Sequence, residues 1–187
     1  MTDKSDTMTI VVADYQPNWT HQFSKLSKNL ADIVGANAIS IEHVGSTSVP
    51  GLAAKPIIDI DIVVSRTNTL QVISALEKYG YKHRGNLGIE DREAFFNPEH
   101  AEINHHLYVC AEGSLALRNH LSLRDRLRSN PEEMQAYSKI KRELAAKYPD
   151  NIDAYIAGKT EFILSVLKRA EFSESELSSI REPNRVK

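Results

Sequence analysis

The sequence predicts an α+β fold, in which a small β-sheet interleaved with helices gives way to a C-terminal helical bundle. Three observations carry this expectation. The run Ile57-Ile58-Asp59-Ile60-Asp61-Ile62-Val63-Val64 is dense in β-branched residues on both faces and reads as a central strand. Segments on either side of it repeat apolar residues at helical spacing. Composition then changes near Gly113, beyond which helical patterns follow one another without a strand. A chain of 187 residues suffices for one domain with a hydrophobic core. The expected unit covers 8–170, with an α/β core at 8–112 and helices at 113–170. A loose tail rich in Ser, Glu and Arg is expected at 171–187.

Ile10 to Ala13 reads as a short strand. Pro17 then opens a helix whose Trp19, Phe23, Leu26, Leu30 and Ile33 form one apolar stripe, and Gly35 stops it. Ala38 to Val44 is a strand that runs directly into Gly45-Ser46-Thr47-Ser48. Pro50, Gly51 and Pro56 punctuate the path to the central strand. A helix over Thr67 to Tyr79, with Leu70, Ile73 and Leu76 as its stripe, ends at Gly80. Strands follow at Tyr81 to Arg84, Ala94 to Asn97 and Ile103 to Cys110, with Gly85 to Arg92 as a loop. The later helices span Ser114 to Arg128, Pro131 to Tyr148 and Asp153 to Ala170. Asn130-Pro131-Glu132-Glu133 gives the middle one a cap, a first-turn proline and a capping-box acid.

The bulk properties exclude several classes of function. No apolar run is long enough for a bilayer, and Met1 to Thr7 carries both charge signs with no signal-like stretch after it. A soluble, cytoplasmic protein without membrane contact is therefore expected. A net charge of −2 supplies no broad basic surface for nucleic acid, so any phosphate contact must be local. Cys110, the single cysteine, sits between Val109 and Ala111 and reads as a small buried hydrophobe without a catalytic role.

Side chains alternate across a strand, so Asp59 and Asp61 share one face while Ile58, Ile60 and Ile62 share the other. Two neighbouring carboxylates on a buried strand call for a compensating charge, and a hard divalent cation with oxygen ligands supplies it. The competing reading is an edge strand whose acids face water or pair with basic neighbours. Just upstream, Gly45 allows a sharp turn, and Ser46, Thr47 and Ser48 offer hydroxyls and amides to phosphate oxygens. Such a turn also arises simply because its hydroxyls satisfy the backbone. The combination of strand, Gly-Ser turn and Asp-x-Asp strand is more specific than either piece.

The run Ile41-Glu42-His43-Val44-Gly45-Ser46-Thr47-Ser48-Val49-Pro50-Gly51-Leu52-Ala53-Ala54-Lys55-Pro56-Ile57-Ile58-Asp59-Ile60 resembles the signature of the GrpB family, a branch of the nucleotidyltransferase superfamily. The resemblance continues through His106-Leu107-Tyr108-Val109, Leu123-Arg124-Asp125-Arg126-Leu127-Arg128 and Tyr155-Ile156-Ala157-Gly158-Lys159-Thr160-Glu161-Phe162-Ile163. It implies a small mixed sheet flanked by helices, with Ser46 near phosphates and Asp59 and Asp61 as metal ligands. Active nucleotidyltransferases present a third carboxylate from a later strand, which this sequence lacks. On the strand through Glu102, Asn104, His106 and Tyr108 that place falls to His106, with Glu102 near the strand end and Glu42 as another candidate. A neutral imidazole can serve as a base or metal ligand, although His105 and His106 also read as one core and one surface histidine.

Three late helices each place a cation in an apolar stripe. Arg124 lies among Leu117, Leu121 and Leu127. Lys141 lies among Met134, Tyr137, Leu144 and Tyr148, and Lys159 among Ile152, Ile156, Ile163 and Val166. These side chains either reach water past the apolar edge or share an anion. Residues 115–170 hold eleven Lys and Arg against seven Asp and Glu, a surplus of four that suits a triphosphate. Lys55 is a weaker candidate for the same task. The expected activity is metal-dependent transfer of a nucleoside monophosphate from a nucleoside triphosphate to an acceptor the sequence does not identify, with Mg²⁺ or Mn²⁺ at Asp59 and Asp61. The alternative is a nucleotide- or phosphometabolite-binding protein without turnover.

Overall fold

The computed structural model of the chain describes residues 9–184. Its elements in chain order are α1 (Asn18–Val34), β1 (Ser40–Val44), β2 (Ile58–Val64), α2 (Thr69–Tyr79), β3 (Lys82–His83), β4 (Arg92–Phe96) and β5 (His105–Ala111). Then come α3 (Leu115–Ser129), α4 (Pro131–Lys147), α5 (Ile152–Arg169) and α6 (Glu174–Arg181). The strands form one mixed sheet in the order β1-β2-β5-β4-β3. β2 runs parallel to β5, and the other pairs are antiparallel. Its apolar density places β2 inside the sheet, where both edges are hydrogen-bonded.

The sheet has two unlike faces. Ile58, Ile60, Ile62 and Val64 of β2, with Leu107 and Val109 of β5 and Phe95 of β4, point to α1 and α2 and make the main core with Trp19, Leu30, Val72 and Leu76. The opposite face carries Asp59 and Asp61 and is covered in part by α3, whose Leu117 and Leu121 rest on Val63, Cys110 and Tyr108. α4 and α5 extend that cover, with Tyr137 and Phe162 stacked at 4.8 Å between ring centres. They approach closely at Gly158, where a Cβ would stand 2.9 Å from Leu144 Cδ1. Side-chain caps start these helices: Ser114 accepts from Leu117 N, Asn130 from Glu133 N, and Asn151 from Ala154 N.

Several expectations are corrected. Ile10 to Ala13 is not a strand. Only Ala13 bridges to Ala54, because Ile10 instead packs with Ala145 and Tyr155 and bonds to Pro149 O. Leu70 does not face the core: it is 78% exposed, and Val72 joins Ile73 and Leu76 on the buried side. Arg92 belongs to β4 rather than to the preceding loop, since its partner on β5 is Cys110. Glu102 lies before β5, exposed, with Lys25 Nζ 2.7 Å away. His105 is buried against Tyr81 and His106 is exposed, as one of the two readings has it. Burial of Cys110 agrees with its reading as a small hydrophobe.

The tail expected to be loose forms α6 over Glu174–Arg181. A capping box between Ser173 and Glu176 starts it, and Leu177 and Ile180 pack on Leu164, Leu167 and Phe172. Residues 185–187 of that tail lie outside the described residues. Among the described residues, no helix is long and apolar enough to cross a membrane. Leu177→Ala removes a buried anchor of α6 and should cost about 2–4 kcal/mol. Melting should then occur roughly 4–16 °C lower. An unchanged melting temperature would show that α6 contributes nothing to the core.

Candidate active site

The pairing register collects the site. Glu42 and Val44 on β1 lie beside Asp61 and Asp59, and His106 and Tyr108 on β5 lie on their other side. Asp59 is half-buried, and its Oδ1 accepts a hydrogen bond from His106 Nδ1 at 2.8 Å. Asp61 is 0% exposed; its Oδ2 accepts from His120 Nδ1 on α3 at 2.7 Å, while its buried Oδ1 has no partner. A carboxylate oxygen only accepts, so both rings carry hydrogen on Nδ1 and keep Nε2 for another group. Burial opposes charge on His120, but the adjacent Asp61 carboxylate outweighs it and raises the imidazole above its ordinary range.

The turn after β1 is fitted to Asp59. Gly45 has φ +68°, and a Cβ there would stand 2.7 Å from Asp59 Cγ, so only glycine lets the carboxylate sit where it does. Ser48 Oγ donates to Gly45 O at 2.6 Å. Thr47 Oγ1 donates to Ile57 O and accepts from His43 Nε2 at 3.0 Å. His43 stacks on Phe23, and burial pushes its imidazole down to about 4, so it stays neutral. The hydroxyls of Thr47 and Ser48 thus hold the turn together. Ser46 Oγ faces the cleft and accepts from Lys141 Nζ at 2.8 Å.

Of the three helix cations, two lack a carboxylate partner among the described residues. Lys141 is 1% exposed and lies over the Tyr137 ring at 4.6 Å. Burial, reinforced by the Lys159 charge, pushes its ammonium down to about 6. Lys159 lies over Tyr155 at 4.6 Å, and burial with the nearby Lys55 charge brings it down to about 8. Arg124 instead donates to Glu42 Oε2 at 2.9 Å, to His43 O, and from Nε to Asp125 at 2.7 Å. That contact holds the Glu42 carboxyl below its usual range. Burial also lowers Lys55, which lines a separate groove with Ile10, Pro56 and Ile152.

A cleft of about 210 Å³ brings together Gly45, Ser46, Asp59, Tyr108, His120, Arg124, Tyr137 and Lys159. Glu42, Lys55, Thr47, Ser48, Asp61 and His106 lie outside its lining, and Lys141 reaches it through Ser46. His120 escaped the sequence reading. The signal for it is spacing: Leu117, His120, Arg124 and Leu127 share one helical stripe, so a residue that faces Asp61 sits between leucines that face the core.

A family model described as GrpB protein matches residues 9–169. UPF0157 protein YqkA of Bacillus subtilis is 35% identical over 158 residues, which cover 84% of this chain and 46% of that protein. The match thus spans less than half the length of that relative. UPF0157 protein BH1888 of Halalkalibacterium halodurans is 34% identical over 172 residues, covering 89% of this chain and 85% of that one. The crystal structure of conserved protein GrpB from Enterococcus faecalis superposes with a TM-score of 0.75 at 32% identity, covering 92% of this chain and 98% of that one.

Two outcomes test this geometry. Gly45→Ala should destabilise the protein by roughly 1–3 kcal/mol through its positive φ and its overlap with Asp59. The overlap part should vanish in an Asp59→Gly background, as read by a double-mutant cycle in urea; full additivity would deny the contact. Lys141 has its folded pKa depressed to about 6, so its charge destabilises the fold fully below pH 6 and progressively less as pH rises toward the unfolded value near 10.5. Lys141→Met should flatten that rise in stability, measured by thermal melts from pH 6 to 10.

Proposed function

The chain belongs to the GrpB family, and we propose that it binds a nucleoside triphosphate with a divalent ion and transfers the nucleoside monophosphate to an acceptor hydroxyl. The observation that carries this reading is the facing of two unlike surfaces across one cleft. On the sheet side Asp59 lines the cleft, and the buried Asp61 stands beside it on the same strand face; each has one oxygen outside its histidine pair. On the helix side stand Lys159 and, behind Ser46, Lys141, both without carboxylate partners. A divalent cation held by the carboxylates would neutralise phosphate charge there, and the lysines would meet the same phosphates from the other side.

The residues fit such an ion. Asp61 Oδ1 is buried without a hydrogen bond, a costly state that a hard cation relieves. Among the described residues no third His, Cys, Asp or Glu completes a cage. Asp59 and Asp61 would therefore be the residues that hold it. As a third ligand, Glu42 would have to leave Arg124, and His106 would offer Nε2. Mg²⁺ or Mn²⁺ bound there supplies charge neutralisation and alignment of the phosphates.

The chain's own groups then divide the work. Ser46 and the turn that carries it orient the phosphates, and Lys159, Lys141 and Arg124 stabilise the departing pyrophosphate, with Lys55 adding positive charge from the neighbouring groove. The acceptor oxygen bonds to the α-phosphorus while the bond to the bridging oxygen breaks, and its electron pair leaves on pyrophosphate. The hydroxyl proton passes to Nε2 of a carboxylate-held imidazole, His106 or His120. A second reading, binding without turnover, is favoured by one observation: β5 presents His106, Tyr108 and Cys110 on the site face, with no carboxylate among them.

Asp59→Asn combined with Asp61→Asn should weaken magnesium-dependent binding of a non-hydrolysable triphosphate at least tenfold, about 1.4 kcal/mol, in protein that still melts cooperatively. An unchanged titration would sink the proposal. Pyrophosphate release with labelled triphosphate and a metabolite extract separates transfer from binding alone.

A further inference from the structure

Beyond His120 lies a second chamber of about 490 Å³, walled by α3, α5, residues 179–184 and the segment 88–92. His120, Leu123 and Lys159 line both spaces, so the two adjoin beside the Asp61–His120 pair. Across the sheet the order is fixed: the Ser46 turn follows β1, the aspartates stand on β2, Tyr108 on β5 and Arg92 on β4. In phosphoryl transfer the attacking and leaving oxygens lie roughly in line on opposite sides of phosphorus. If the leaving phosphates sit at Ser46 and Lys141, the attacking oxygen comes from the β4 side. The second chamber is there.

Arg92 supplies that chamber with an unmatched cation. Its guanidinium lies over the Tyr108 ring at 4.6 Å, its Nε is buried without a hydrogen-bond partner, and it forms no ion pair among the described residues. No neighbouring acid pairs with it among the described residues. Asp91 is bound to Arg66 at 2.6 Å, Glu93 points to the other face with His83 at 2.7 Å, and Glu90, which is exposed and also lines the chamber, makes no ion pair with Arg92. A half-buried guanidinium with free donors is completed by an oxyanion, which it can grip with two parallel hydrogen bonds. Asn119 and Thr160 add polar groups among apolar walls, and the volume lies in the range of small-molecule sites.

We propose that this chamber receives the acceptor and that Arg92 binds an oxyanion group, phosphate or carboxylate, carried by a small hydroxyl compound. This rests on the transferase reading of the adjoining cleft. Displacement then joins the acceptor oxygen to the α-phosphorus and releases pyrophosphate toward Ser46. The oxyanion held by Arg92 takes no part in bond exchange and only fixes the acceptor's position.

The test uses the full chain saturated with a non-hydrolysable triphosphate and Mg²⁺, titrated calorimetrically with glycerol 3-phosphate, glycerate and, as an uncharged control, glycerol. Wild type should bind one of the anions and not glycerol, and the anion that binds identifies the group. Arg92→Gln should weaken that anion tenfold or more while the triphosphate Kd stays within twofold, and Arg92→Lys should fall between. Should Arg92→Gln fail to fold, Asn119→Phe, which fills the chamber from α3, should give the same selective loss. Wild type that binds neither anion, or an Arg92→Gln protein that binds them equally well, overturns the proposal. Equal loss of triphosphate and anion assigns Arg92 to the donor and overturns it too, with the transferase reading intact. Failure of the triphosphate to bind wild type removes that reading, and the acceptor assignment falls with it.

Discussion

Two carboxylates two residues apart on an interior strand must share one face, repel each other and lose most of their water. The rest of the structure is arranged around that cost. β5 brings His106 to Asp59 by register, and α3 brings His120 to Asp61 from 59 residues further along the chain. Gly45 gives up its side chain so that the Asp59 carboxylate has room. Arg124 neutralises Glu42, which would otherwise be a third acid on the same face. What the protein leaves uncompensated is specific: one buried oxygen of Asp61, and two lysines across the cleft. These unbalanced positions are the ones that the proposed ligand would satisfy.

The parts legible in the sequence were those encoded locally. The β-branched run at Ile57 to Val64 marks an interior strand because such density has no other use, and strand alternation alone pairs Asp59 with Asp61. The cations of α3, α4 and α5 stood out because each interrupts a regular stripe, although the structure divides them: Arg124 meets carboxylates, and Lys141 and Lys159 do not. What escaped depends on long-range contact. His120 is one polar residue in a leucine-rich helix until Asp61 is placed opposite it. Ile10 to Ala13 has strand composition, but its neighbours are the Pro149 carbonyl and the α4–α5 corner, so only Ala13 pairs. In α6 the Ser-Glu-rich composition hid a readable signal, a capping box followed by Leu177 and Ile180 one turn apart.

Lys141 shows how the two surfaces of the site depend on each other. Its amine reaches Ser46 from a position with almost no water, and no carboxylate among the described residues pairs with it. A lysine so placed gives up its charge readily when the site is empty and regains it beside an anion. The Tyr137 ring below it and the Phe162 ring stacked on Tyr137 tie that lysine to the packing between α4 and α5. Anything that charges Lys141 therefore acts on the seam between those helices as well as on the turn at Ser46.

The division of the sheet into a face closed by α1 and α2 and a face closed by α3 to α5 also sets an order of events during synthesis. The apolar side can be covered by segments that leave the ribosome early, since α1, β1, β2 and α2 are complete by Tyr79. The acidic side cannot. β2 waits for β5, a parallel partner 47 positions downstream, and His120, Arg124, Lys141 and Lys159 arrive later still. The aspartate pair is thus made long before the imidazoles and lysines that surround it in the finished fold.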